Sequence, residues 1–212
     1  MTLLNNYNIG METKLLSFED SQCIEILLNE EVLAFPTETV FGFGIVFDSV
    51  KAFNKLCNLK QRNPDKPFTI MVSKKEDIEM FVNLNDKMKK LISKFMPGEL
   101  TIIFNAKDNL KEHLTLNQGT VGIRIPNSKD VLSLIDRVNM PLLVTSANIS
   151  SHAPLLTSDE VYNEFKDKIY GIVEGECVSN IPSTIIRIDG DNISLIRKGG
   201  IPFEYILKEW SI

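Results

Sequence analysis

The sequence predicts one α/β domain built on a mixed sheet. Three observations lead there. Short apolar runs of strand length alternate with segments of helical apolar spacing. The 212 residues suit one large domain better than two small ones. No internal repeat, low-complexity linker or break in composition divides the chain. Hydrophobic residues at 43% and charged residues at 24% allow a core of ordinary size for a soluble globular protein.

Taken in order, residues 1–16 read as a loose extension, polar and Asn-rich over most of its length, and 17–212 as the domain. Phe18, Cys23, Ile24, Leu27 and Leu28 are spaced as one helix face within Ser17–Asn29. Val32–Phe35, cut by Pro36, reads as a buried strand leaving its sheet. A helix over Val50–Leu59, a strand over Phe68–Val72 and helical stretches near 75–82 and 86–95 follow. Apolar runs at 100–104 and 121–125 predict strands, and Asn127 or Ser128 opens the next helix. Leu142–Thr145 is a further buried strand, followed by a helix near Ser158–Phe165 and strands near 170–173, 184–188 and 193–196.

Charge and rare residues exclude several classes of function. A net charge of −5 argues against a broad basic surface for nucleic acid, though not against a local basic pocket. Cys23, Cys57 and Cys177 are too widely spaced for a metal or redox motif and read as reduced, packed thiols. His113 and His152, both in polar sequence surroundings, argue against a multi-histidine metal centre and against a histidine-based triad. No apolar run approaches a bilayer span and no leader segment is evident, so the expected compartment is the cytoplasm, with no membrane partner.

The residues that carry chemistry stand at strand ends and in loops, where a scaffold presents them to a ligand. In Phe35–Gly44, Thr37 and Thr39 flank Glu38, and two glycines permit close backbone approach. Alone, this is either a phosphate-approaching loop or a tight structural turn. Lys60-Gln61-Arg62, just past a helix, offers a point charge and a planar fork to a polyphosphate, or else a solvated helix end that complements the macrodipole. Pro97-Gly98-Glu99-Leu100-Thr101 delivers a hydroxyl into a strand. Arg124, within Gly122–Pro126, needs an anion or carbonyl if buried, and either a ligand or a structural carboxylate would serve. Thr145-Ser146-Ala147-Asn148 follows a strand as a ligand rim, or else as a helix cap or Asx turn. Ser183-Thr184 and Arg197-Lys198-Gly199-Gly200 would each alone be ordinary turns.

Read in order, these groups resemble the YrdC-like family, which includes the TsaC-type threonylcarbamoyl-AMP synthases. The family pattern is PT-[ED]-T-[VY]-[YF]-G-[LF]-G, K-x-R, KP, PG-x-[LY]-T, R-x-P, T-S-A-N, S-T-[IV] and R-x-G. Here it stands as Pro36–Gly44, Lys60-Gln61-Arg62, Lys66-Pro67, Pro97–Thr101, Arg124-Ile125-Pro126, Thr145–Asn148, Ser183-Thr184-Ile185 and Arg197-Lys198-Gly199. One such motif is weak; eight in the right order are a strong signal.

The resemblance implies a twisted mixed sheet with helices around a deep concave cavity. It also implies a reaction in which L-threonine, bicarbonate or CO2 and ATP give threonylcarbamoyl-AMP and pyrophosphate. Magnesium is then expected on the ATP phosphates, and the product passes to a tRNA threonylcarbamoyl transferase complex; direct tRNA binding is compatible but not required. By the same carry-over Lys60, Arg62 and Arg124 are the catalytic cations, and Lys60, Arg62, Ser146, Asn148 and Arg197 bind ATP. Thr37, Thr101 and Ser183 line the substrate side, and no residue is a dedicated metal ligand. Phe41 replaces a more usual Tyr, Met71 replaces a His of the amino-acid pocket in some members, and the chain matches the short form without an extra C-terminal domain. The alternative is an RNA- or nucleotide-binding relative without synthase activity.

Overall fold

The computed structural model describes residues 11–62 and 67–211. The strands are β1 (Lys14–Leu16), β2 (Leu33–Phe35), β3 (Gly42–Val46), β4 (Thr69–Met71), β5 (Leu100–Asn105), β6 (Thr120–Arg124), β7 (Leu142–Ser146), β8 (Gly171–Val173), β9 (Thr184–Asp189) and β10 (Asn192–Arg197). The helices are α1 (Ser21–Leu28), α2 (Val50–Lys60), α3 (Asp86–Phe95), α4 (Glu112–Thr115), α5 (Lys129–Val138), α6 (Ser158–Phe165) and α7 (Phe203–Trp210). Among the described residues, all ten strands join one mixed sheet in the order β1-β8-β2-β3-β7-β4-β6-β5-β9-β10.

Alternation along the strands sorts the core into two layers. Leu33, Phe35, Met71, Leu142 and Val144 face α1 and α5, where they meet Cys23, Leu27, Val131 and Leu134. Ala34, Phe43, Ile45, Ile70 and Leu143 face the other way, toward α2, α3, α6 and α7. The layer under α1 and α5 takes no described residue from β5, β6 or β9. On that face those strands are left to line a cavity.

Most expected elements form. α3 and α6 match their predicted spans, and Ser128 caps α5 by accepting from the Val131 amide. Thr157 and Glu160 close a capping box at the start of α6. Four elements were not anticipated: β1, β3, α4 and α7. The boundary expected at residue 17 falls inside the fold, since β1 pairs in parallel with β8 and Thr13 donates to Ile169 O at 2.5 Å. Residues 1–10 of the expected extension, and Lys66 of the Lys-Pro motif, lie outside the described residues. β3 is buried throughout, and its glycines disguised it as a turn. Gly44 is required because the Phe35 ring occupies the space a Cβ would take. His113 is also buried, with Nε2 at 2.8 Å from Phe47 O and its ring against Phe53, contrary to its polar sequence surroundings. Cys23, Cys57 and Cys177 are free thiols, as expected.

Candidate active site

A cavity of about 230 Å³ opens on the sheet face left uncovered by α5. Register explains its lining. Met71 pairs with Arg124, Gly42 with Ser146, and Thr101 with Ile185, so these side chains project to one face. Gly42 keeps the wall thin, because a Cβ there would stand 3.1 Å from Val144 Cγ1 and 3.7 Å from Thr37 Cγ2. Seven of the nine expected site residues line the cavity: Thr37, Arg62, Thr101, Arg124, Ser146, Ser183 and Arg197. Phe41 and Met71 line it too. Lys60 and Asn148 stand behind its wall.

One wall is a directed chain of hydrogen bonds. Arg124 Nη1 donates to Thr39 Oγ1 at 3.1 Å, and the Thr39 and Thr37 hydroxyls are 3.0 Å apart. Thr37 donates to Val40 O at 2.7 Å and accepts from the Thr39 amide at 3.1 Å. Since the Thr37 proton is committed to Val40, the Thr39 hydroxyl donates to Thr37 and accepts from Arg124. Arg124 also donates through Nε to Gly98 O at 3.0 Å and through Nη2 to Glu38 Oε1 at 2.7 Å. The structural carboxylate that the sequence left open as a partner for Arg124 is therefore Glu38, whose Oε1 also accepts from the Asn127 amide at 2.6 Å. The pair is nearly dry, with side chains 5% and 12% exposed, and Glu38 Oε2 is buried without a partner among the described residues. Sequence reasoning missed this role for Glu38. The unpaired demand of an Arg in an apolar strand was the signal that a partner existed, but it did not say where.

A second part of the lining is built on Ser183. Its hydroxyl lies 2.9 Å from Thr101 Oγ1, and Arg197 donates to Ser183 O through Nε (3.1 Å) and Nη2 (2.8 Å), and to Ser183 Oγ at 3.0 Å. Gly199 makes this approach possible, since any Cβ there would collide with Pro182 O and the Thr184 amide. Burial, then the nearby charge of Arg124, lowers the pKa of the Arg197 guanidinium. Although much of Arg197 is exposed, its charged head is thus partly withdrawn from water. It has no carboxylate partner among the described residues.

The Lys60–Arg62 group splits in two. Gln61 caps α2 in the left-handed region with φ 50°, which turns the chain between the two cations. Arg62 enters the cavity, donates to Pro67 O at 3.0 Å and lies 4.8 Å from the Phe68 ring centre. Its pKa is lowered by burial. Lys60 turns inward and is 1% exposed, so it is not the solvent-accessible group the sequence led us to expect. Its Nζ donates to Ser146 O (2.6 Å), Asn148 O (2.8 Å) and Asn148 Oδ1 (2.9 Å). Burial, then repulsion from Arg62, pushes the ammonium down to about 7 against the pull of Glu164. No helix follows Asn148 directly, so the helix-cap reading of this segment fails.

The described residues contain no group of three His, Cys, Asp or Glu able to hold a metal, and no helix long and apolar enough to cross a membrane. The cavity's own oxygen donors are hydroxyls. Such a set suits an ion that arrives bound to phosphate and largely hydrated.

The Sua5_yciO_yrdC family model, described as telomere recombination, matches residues 25–199. A protein of Methanocaldococcus jannaschii is 36% identical over 185 residues, 86% of each chain. The threonylcarbamoyl-AMP synthase of Buchnera aphidicola is 36% identical over 167 residues, 77% of this chain and 95% of that one. The crystal structure of P. abyssi Sua5 complexed with L-threonine superposes with a TM-score of 0.86 at 27% identity. That match covers 93% of this chain but only 59% of the longer Sua5 chain. With the family model spanning most of its length and its fold shared with Sua5, this chain belongs to the Sua5/YciO/YrdC family.

Proposed function

We propose that the protein is a threonylcarbamoyl-AMP synthase, a nucleotidyltransferase that condenses L-threonine, bicarbonate or CO2, and ATP. The observation that carries this is the convergence of Arg62, Arg124 and Arg197 with seven hydroxyl side chains in one small cavity of a chain related to such synthases. The threonine amine adds to CO2, forming an N–C bond and losing a proton. A carbamate oxygen then attacks the α-phosphorus of ATP, and the bond to the bridging oxygen breaks, releasing pyrophosphate. The two partners of the displacement, the carbamate and ATP, are both anions, so the protein's task is to hold anions together and balance the leaving group.

Arg124 offers the threonine carboxylate the N–H groups left over from its contacts with Gly98, Thr39 and Glu38, with Thr37, Thr101 and Ser183 around the amino acid. Arg62, Ser146 and Arg197 serve the nucleotide, and desolvation around both arginines strengthens their pull on phosphate. Magnesium would come in on the phosphates, held by them and by water, and would help to neutralise the pyrophosphate. The product, a mixed anhydride, is destined for a tRNA threonylcarbamoyl transferase complex in the cytoplasm. The test is pyrophosphate release from ATP with each co-substrate omitted in turn. Release that needs both threonine and bicarbonate is expected; equal release without threonine refutes the proposal.

A further inference from the structure

We propose that Lys60 is a positioning residue which, with Asn148, forms a buried clamp fixing the Ser146–Asn148 segment in the shape that lines the cavity. The sequence had assigned both side chains to ATP. Three observations reassign them. Lys60 and Asn148 are 1% and 6% exposed and neither lines the cavity, whereas their neighbours Arg62 and Ser146 do. The three donors of the Lys60 ammonium meet three acceptors, all on Ser146 and Asn148, which leaves none for a phosphate. The Asn148 amide is committed as well: Nδ2 donates to His152 O at 2.7 Å, and Oδ1 accepts from both Lys60 and Ser146 Oγ.

The surroundings close the clamp on every side. The Phe43 ring lies 5.8 Å from Lys60 Nζ, the Ser150 amide donates to Lys60 O at 2.9 Å, and the Ala147 amide donates to Phe41 O at 2.7 Å. The loop is thereby tied both to the end of α2 and to the Pro36–Gly44 segment. The clamp also fixes the chemistry of Ser146. Its hydroxyl proton points to Asn148 Oδ1 at 2.6 Å, so toward a ligand Ser146 offers lone pairs and accepts, from a ribose hydroxyl, an amine or a bound water. Lys60 thus acts on the nucleotide through the loop. The effect on ATP rests on the synthase reading, but the clamp itself is measurable without nucleotide.

The first test uses wild-type protein labelled with 15N-lysine at about pH 6, well below the usual lysine range. A slowly exchanging Nζ ammonium signal is expected without ligand, unshifted when magnesium-ATP is added. The second follows amide exchange of Ala147 and Ser150 without nucleotide. Lys60→Met is expected to speed it about tenfold or more, the change in local opening that loss of one strong hydrogen bond produces, while leaving β5 amides unchanged. Arg62→Ala is expected to weaken ATP binding and leave those loop amides as in wild type. In Lys60→Met the KM for ATP should rise with the loosened loop. Lost ATP affinity with unchanged loop exchange would make Lys60 a direct ligand and overturn the proposal, as would no change in either. If Lys60→Met does not fold, Asn148→Ala, which keeps the lysine and both backbone acceptors, is expected to give a milder rise in exchange, and no rise overturns the proposal. A wild-type protein that releases no pyrophosphate would refute the synthase reading while the exchange result still decides the clamp.

Discussion

Glu38→Ala separates the structural from the ligand-binding side of Arg124. The carboxylate accepts from Arg124 Nη2 at 2.7 Å and from the Asn127 amide at 2.6 Å, and both charged side chains are almost excluded from water. Removing it strands a buried guanidinium and a backbone donor together. Breaking a buried pair in this way typically costs about 3–5 kcal/mol. In a chain of this size, each kcal/mol lowers the melting temperature by about 2–4 °C, so a fall of roughly 6–20 °C is expected. Arg124→Ala should cost a similar amount, since it leaves the Glu38 carboxylate without its cation and with the Asn127 amide as its one remaining partner among the described residues. The double variant should lose clearly less than the sum of the two, because the residues are in contact. Urea unfolding of the ligand-free single and double variants measures all three terms. A loss below about 1 kcal/mol for Glu38→Ala, the level of an exposed pair, would refute the claim that this ion pair holds the wall together.

Other expectations follow from the same geometry. Arg124→Lys keeps a charge but cannot reach Gly98 O, Thr39 and Glu38 at once, so pyrophosphate release should fall nearly as far as in Arg124→Ala; full activity would show that charge alone suffices. Gly199→Ala should destabilise by at least about 1–3 kcal/mol and abolish turnover, as its methyl would meet the Pro182–Thr184 backbone that carries Ser183; a crystal structure showing Arg197 undisplaced would contradict this. Ser146→Ala should keep its ligand-free melting temperature and lose part of the stabilisation that magnesium-ATP confers on wild type. A thermal-shift series with and without nucleotide checks it, and an undiminished ATP shift would remove Ser146 from the site.

The sheet was legible wherever strand and helix periods were clean. β5, β6, β7 and β9 come from apolar runs bounded by turn residues, and α3, α5 and α6 from amphipathic spacing with Ser, Thr or Asn caps. The missed elements have physical reasons. β3 contains two glycines, which read locally as a turn, yet the need for them is tertiary: one spares the Phe35 ring and the other opens the cavity. β1 is three residues long with one buried side chain, too short for a period to appear. The pairing of Arg124 with Glu38 spans eighty-six positions, a distance that no local pattern encodes.

The cations show where sequence reasoning ends. Lys60 and Arg62 flank one residue and look like one phosphate clamp, yet Gln61 adopts a left-handed cap that sends them to opposite sides of the cavity wall. A glycine there would have signalled the turn; a glutamine does not. Arg124 looks like the strongest anion site, but Glu38 balances its charge in place. Arg197 therefore contributes positive charge with no carboxylate beside it among the described residues, and Arg62 lines the same cavity. A chain of net charge −5 can hold polyphosphate in this way, because a few desolvated guanidiniums act over short distances while the acidic surface is screened by salt. Composition reports the sum of the charges; the cavity's character comes from which of them the fold leaves unbalanced.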